Sequence, residues 1–258
     1  MQNVVSKRTN PKASGAISLA ASKPGSTRKQ PASPSGNRVG QAARQRILAA
    51  AERVFAEGGY GSASTARIAD AAGLPKANLH YYFGTKGALY EAVLSDILET
   101  WRSAADTITA DADPTEALTA YVDAKIELSR RRPLASKIFA NELLHGAKVV
   151  RPYLQRELRG WVSDKARIFD RWAAQDRMKK IDAEHLFFGI WAMTQTYADF
   201  DVQVRAVLGT RVLKDPDFDA AKRIITAMVL GACGLAPAEG QAAGKKADGK
   251  KAKRRKRA

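Results

Sequence analysis

Two short segments between Ser64 and Phe83 constrain this chain more than anything else in it. "STARIADAAGLP" opens with hydroxyls suited to a helix N-cap. Ile68, Ala69 and Ala72 then fall on one buried face, and Gly73 ends the segment. Pro75, a residue favoured in a first turn, opens a second short helix. A longer helix precedes both, with Ile47, Leu48, Ala51, Val54 and Phe55 at three-four spacing and Gly58-Gly59 to close it. Three helices in this order, the last two short and joined by "AAGLP", form the pattern of a helix-turn-helix. The second of that pair lies in the DNA major groove.

That helix has an unusual composition. "LPKANLHYYFGTKGAL", Leu74 to Leu89, holds one histidine, three aromatics, an asparagine and two lysines. Leu79 and Phe83, four apart, pack inward, which leaves the polar members to face DNA. The alternative for Tyr81 and Tyr82 is a staple between this helix and the next.

The segment "STARIADAAGLPKANLHYYFGTKGALYEAVL" resembles the DNA-binding domain of TetR-type transcriptional regulators. The family run is present as Leu79-His80-Tyr81-Tyr82-Phe83, then Lys86 and Leu89. His80 stands where Tyr is common, and Tyr82 where His is common. The resemblance implies that Thr65 donates to phosphate, that Lys76, Ala77 and Asn78 meet the groove, and that His80 or Tyr81 reaches base edges. It also implies that Tyr82 and Lys86 hold phosphates. Phosphate contacts fix register, and only base-edge contacts read sequence.

The rest of the ordered chain reads as helix. "TKGALYEAVLSDILETWRSAAD" is one long amphipathic helix, with further helices near 114–131, 134–146, 150–177, 182–207 and 216–233. The expected fold is all-α: residues 41–87 the helix-turn-helix domain, 88–235 an effector-binding and dimerisation domain. Of the formal charge of +17, residues 1–40 and 236–258 supply +7 each, which leaves +3 for the middle. Both ends are expected to be disordered basic tails that raise non-specific DNA affinity or merely solubilise. A single cysteine, Cys233, provides no disulfide framework and points to a reducing compartment. No apolar run approaches membrane-spanning length, and the expected location is cytoplasmic, on the nucleoid. The three histidines lack metal-ligand spacing, and no phosphate loop or nucleophile elbow occurs. No enzyme, cofactor or metal is therefore expected.

"AYVDAKIELSRRRPLASKIFANELLHGA" and "HLFFGIWAMTQTYADFDVQVRAVLG" resemble the effector domain of one branch of the TetR family, the pyrimidine-utilisation repressors. That resemblance implies uracil or thymine as effector. Trp191 and Gln195 stand one turn apart and share a stripe with Thr194. An indole beside an amide can stack on a flat heterocycle and match its carbonyl and N–H. A core Trp with a satisfied amide is the alternative. Trp101, Phe139, His145 and Trp161 are further candidates for the pocket. The broad apolar faces of the last two helices exceed what a surface helix needs. The resemblance implies a homodimer there and, by two-fold symmetry, a palindromic operator. Two readings compete: a nucleoid-type architectural DNA binder, and a regulator with a drug-like or lipid effector.

Overall fold

The computed structural model describes residues 34–236, and every regular element among them is helical. Of the tails expected at 1–40 and 236–258, residues 1–33 and 237–258 lie outside the described residues. No helix among the described residues is long and apolar enough to cross a membrane.

The first layer comprises α1 (Pro34–Ser62), α2 (Thr65–Ala72), α3 (Lys76–Phe83) and α4 (Lys86–Ser103). α1 reaches back to Pro34, ahead of the boundary expected at residue 41; once a helix is nucleated, each added residue costs little. Gly59 (φ 70°, ψ 176°) kinks its last turns where the sequence placed the stop. Ser64 caps α2 by accepting a hydrogen bond from the Arg67 N–H. Gly73 ends α2 in the left-handed region at φ 61°. Ile47, Val54 and Phe55 of α1, Ile68 of α2, Leu79 of α3 and Leu89 of α4 close over one core.

The larger unit comprises α5 (Pro114–Arg131), α6 (Pro133–Leu144), α7 (Arg151–Tyr153), a π turn (Leu154–Leu158), α8 (Arg159–Ala174), α9 (Ala183–Asp199), α10 (Asp201–Leu208) and α11 (Asp215–Ala232). Leu118, Ile126, Phe169, Trp172, Phe187, Ile190 and Ile225 form its core. The helix expected across 182–207 breaks at Phe200 (φ −115°, ψ 33°). There Asp201 starts α10, held by Lys137 at 2.7 Å and Arg205 at 3.0 Å. The segment expected as one helix over 150–177 carries the π turn, a feature hydrophobic periodicity does not reveal. Cys233 is buried, and burial pushes its thiol up to about 11, so it behaves as a small apolar residue.

α6 belongs to both units. Its Ala135, Ile138 and Phe139 complete the first core. Arg132, just ahead of it, binds Glu52 of α1 at 2.6 Å and Asp96 of α4 at 2.8 Å. Glu142 is buried and accepts from the Tyr90 hydroxyl of α4 at 3.1 Å and from the backbone N–H of Val149 at 2.6 Å.

Gly73→Ala tests the turn. A side chain there is strained by the positive φ, and its Cβ would stand 3.0 Å from the Arg46 guanidinium that caps the end of α2. Such a change is expected to cost about 1–2 kcal/mol, read as a lower urea midpoint. An unchanged midpoint would mean the cap contributes nothing.

Candidate nucleic-acid interface and ligand cavity

α3 turns one side to the core and the other to solvent. Leu79 is fully buried, whereas Tyr81 is 81% exposed. Lys76, Ala77 and His80 are exposed and Asn78 is half-buried. The His80 ring is tied by Nδ1 to the Gly84 carbonyl oxygen at 2.9 Å, which aims its other nitrogen outward. Tyr82 is half-buried; its hydroxyl lies against Gly40 of α1, and its ring meets Tyr81 edge-on at 5.0 Å. The hydroxyl thus meets α1, whereas the staple expected from the sequence joins α3 to the helix that follows it. Thr65 is half-buried at the first position of α2, where Ser64 does the capping.

Lys86 makes contacts within the chain that the sequence does not announce. Its ammonium donates to the Tyr60 and Ala63 carbonyls, both at 2.9 Å, and lies 4.3 Å from the centre of the Tyr60 ring. Those are free carbonyls at the end of α1, which attract a cation. The ammonium keeps its charge and a third N–H, so these contacts position it without taking it out of reach of a phosphate.

A cavity of about 450 Å³ opens among α4, α5, α6, the π turn, α8 and α9. Of the expected effector residues, Trp101, Phe139, Trp161, Trp191 and Gln195 line it together. Trp101 meets Phe139 edge-on at 4.8 Å. The Trp191 indole donates to the Tyr121 hydroxyl at 2.7 Å, which fixes the ring as a wall. Thr194 stands outside: it is buried behind the wall, and its hydroxyl donates to the Ile190 carbonyl at 2.7 Å. His145 also stands outside, exposed just past α6, where Gly146 (φ 92°) turns the chain away.

Three charged side chains that sequence reasoning missed line the cavity: Lys125, Asp199 and Arg102, the last paired with Glu99 at 2.7 Å. Lys125 of α5 is buried, with its ammonium 4.4 Å from the centre of the Trp101 ring. Burial lowers its pKa to about 8, against a smaller opposing pull from Asp199. Asp199 closes the stripe Trp191–Gln195–Asp199, and burial raises its carboxyl, opposed first by the Ser136 hydroxyl beside it and then by Lys125 and Lys137. Its Oδ1 is buried without a hydrogen-bond partner. Both side chains line the cavity, yet no ion pair joins them among the described residues. A donor and an acceptor thus face one space walled by rings. The signal in the sequence that marks Lys125 is its place as the single cation on the apolar stripe Leu118–Tyr121–Val122–Ile126 of α5.

Known proteins are similar to this chain in sequence and in helical fold. Residues 47–93 match the family described as bacterial regulatory proteins, tetR family, and residues 94–236 match the YcdC-like protein, C-terminal region. The HTH-type transcriptional regulator RutR of Escherichia coli strain K12 is 38% identical over 182 residues, 70% of this chain and 85% of that protein. The HTH-type transcriptional repressor NicS of Pseudomonas putida is 36% identical over 116 residues, 43% of this chain and 53% of that protein. In fold, the chain is similar to AibR in complex with isovaleryl coenzyme A and operator DNA (TM-score 0.57, 19% identity, 72% of this chain and 97% of that one). It is likewise similar to the ketosteroid regulator KstR2 of Mycobacterium tuberculosis (TM-score 0.59, 18% identity, 73% and 93%). With both parts of its helical body matched and this degree of identity, the chain belongs to the TetR family of transcriptional regulators.

Proposed function

We propose that this regulator is a ligand-gated repressor that leaves a palindromic operator when a small neutral heterocycle, uracil or thymine, enters the cavity. The observation that carries the reading is the separation of Lys125 and Asp199 inside a ring-walled space. A flat ring can stack between the indoles, accept from Lys125 at a carbonyl, and donate an N–H to the Asp199 carboxylate. Lys125 and Asp199 offset each other in charge, and Arg102 is already paired with Glu99, so an uncharged ligand suits the cavity better than a carboxylate.

α3 reads DNA, with Lys76 on phosphate or a base edge, Asn78 on a base edge, Ala77 and Tyr81 in apolar contact, and Thr65 and Tyr82 on the backbone. A two-fold pair of such helices fits successive major grooves only near one helical turn, about 34–36 Å apart. The path from cavity to α3 runs along α6: Phe139 lines the cavity, and Glu142 on the same helix grips Tyr90 of α4. A ligand acts there only through unequal affinity for the two states; tenfold weaker DNA binding needs about 1.4 kcal/mol of coupling.

A second reading, a larger apolar effector, draws on the cavity volume, which exceeds what a bare pyrimidine fills, and on the apolar character of most of its wall.

A mobility shift on the DNA upstream of the chain's own gene, with uracil, thymine or an acyl coenzyme A added, separates the readings. Release by the bases supports the first and release by the thioester alone the second; equal binding to any DNA supports the architectural alternative. Lys76→Ala is expected to weaken binding and to flatten the salt dependence by about 0.9 in log–log slope. An unaltered slope would remove Lys76 from the phosphate contacts.

A further inference from the structure

Lys125 is a costly side chain to build into a cavity wall. It is 3% exposed, and no ion pair holds its ammonium among the described residues. A methionine of similar length would fill the same space without burying a charge. Burial lowers the lysine pKa to about 8. At neutral pH about one chain in ten then carries a free amine there, against roughly one in a few thousand for a surface lysine. A free amine facing an apolar space is a nucleophile towards carbonyl carbon.

Its neighbours suit that chemistry. Tyr121 lies one turn before Lys125 on α5, and both line the cavity. The Tyr121 hydroxyl accepts from the Trp191 indole at 2.7 Å, which leaves its own proton to donate to a ligand oxygen. Asp199 of α9 borders the same space, and burial raises its carboxyl, so it takes up and releases a proton nearer neutrality than a surface aspartate does. The remaining ionisable groups of the wall are Arg102 of α4, paired with Glu99, and Tyr153 of α7, whose hydroxyl burial pushes up. Lys137 of α6, which also acts on Asp199, is paired with Asp201 at 2.7 Å. An amine, a hydroxyl that can polarise a carbonyl and a carboxyl that can move protons thus meet in one space walled by Trp101, Phe139, Trp161 and Trp191.

We propose that Lys125 captures a small aromatic aldehyde as a Schiff base, with Tyr121 polarising the carbonyl and Asp199 moving the protons. The lysine nitrogen forms a bond to the aldehyde carbon, and the C=O π pair moves onto oxygen, which the Tyr121 hydroxyl stabilises. Asp199 carries one proton and then a second from nitrogen to that oxygen. The oxygen leaves as water, and the nitrogen pair closes the C=N bond. Amine and aldehyde become imine and water, with nothing oxidised or reduced. The ring wall selects a flat group. An imine that picks up a proton spreads its charge into the attached ring, and the Trp101 face below Lys125 holds that charge. Water returning to the carbon reverses the capture. The inference rests on the cavity being a ligand site, as in the reading above, and not on the ligand being a pyrimidine.

The test incubates the full chain at neutral pH with benzaldehyde and cyanoborohydride, which reduces an imine to a stable secondary amine. Masses of the proteolytic peptides then locate each benzyl group. Lys125 is expected to label about a hundredfold faster than the average surface lysine, the advantage in free amine less the weaker nucleophilicity of a weaker base. Labelling at or below the surface rate would overturn the proposal. The preference is expected to shrink as the pH rises from about 8 towards 10.5, where surface lysines also lose their protons; a preference that pH leaves unchanged would overturn the part given to the free amine. Asp199→Asn is expected to slow the labelling of Lys125 about tenfold and to leave the surface lysines as they were. An unaltered Lys125 rate would remove Asp199 from the proton transfer. If that variant does not fold, the peptide map of the parent chain still decides whether Lys125 is the selective site. Uracil at roughly ten times its dissociation constant is expected to slow the Lys125 reaction about tenfold. Selective labelling that uracil does not slow upholds the imine and counts against the pyrimidine reading, so the two fail separately.

Discussion

Glu142→Ala is expected to lower the free energy of unfolding by about 3–5 kcal/mol, because one buried acceptor serves several donors. The carboxylate is buried between the two units and takes three hydrogen bonds, from the Tyr90 hydroxyl, the Val149 N–H and, at 3.4 Å, the Val150 N–H. Alanine leaves all three donors without a partner, and each orphaned buried donor costs about 1–3 kcal/mol. Tyr90 has little recourse to water: burial, then the neighbouring carboxylate, already hold its hydroxyl well above the ordinary phenol range. Urea unfolding gives the loss directly. Glu142→Gln is the control, since its amide oxygen can keep the Val149 bond and the Tyr90 hydroxyl can rotate to accept from the amide. It is expected to lose about 1 kcal/mol. A Glu142→Ala chain as stable as the parent would remove this carboxylate from the bridge. The functional counterpart is that ligand still binds the Gln variant, while DNA release weakens.

Lys125→Met is expected to act in the opposite sense and raise stability near neutral pH by about 2 kcal/mol. Burial moves the lysine from 10.5 to about 8 in the folded chain. The full interval corresponds to about 3 kcal/mol of strain on the charged form, part of which the Trp101 face offsets. The pH dependence follows from where the proton sits. Between about 8 and 10.5 the unfolded lysine keeps its proton and the folded one has released it. Raising the pH through that window therefore stabilises the folded parent. The advantage of methionine should be full below about pH 8 and fade towards 10.5. Tyr90, Tyr121 and Cys233, all raised by burial, work against stability in alkali, but they are common to both chains and cancel in the difference. Unfolding curves at several pH values check the slope. Calorimetry with uracil checks the second consequence, loss of binding. A methionine chain that binds uracil as before would take Lys125 out of the recognition edge.

The helix-turn-helix was readable because its signals are local. Ser64, Gly73 and Pro75 each fix one end of a helix through their own backbone preferences, and the structure keeps all three in those places. That Trp191 and Gln195 share a face was readable from spacing, because residues four apart stack; that the face borders a cavity was not. Thr194 misled because three and four residues later are nearly equivalent on paper; it falls on the buried stripe with Ile190 and Ala198. The carbonyl contacts of Lys86 were not legible because they come from residues more than twenty positions earlier. Lys125 and Asp199 are brought to one space by α5 and α9, helices more than fifty residues apart, and no local pattern announces that meeting.

The ring wall of the cavity has an optical consequence. Of the chain's four tryptophans, Trp101, Trp161 and Trp191 stand around this one space, and only Trp172 is sealed in the core. Indole emission shifts with the polarity and the neighbours of the ring, so most of the near-ultraviolet fluorescence originates beside the cavity. Whatever occupies it should report its own arrival, without a dye or a label, and the regulator is in effect its own indicator.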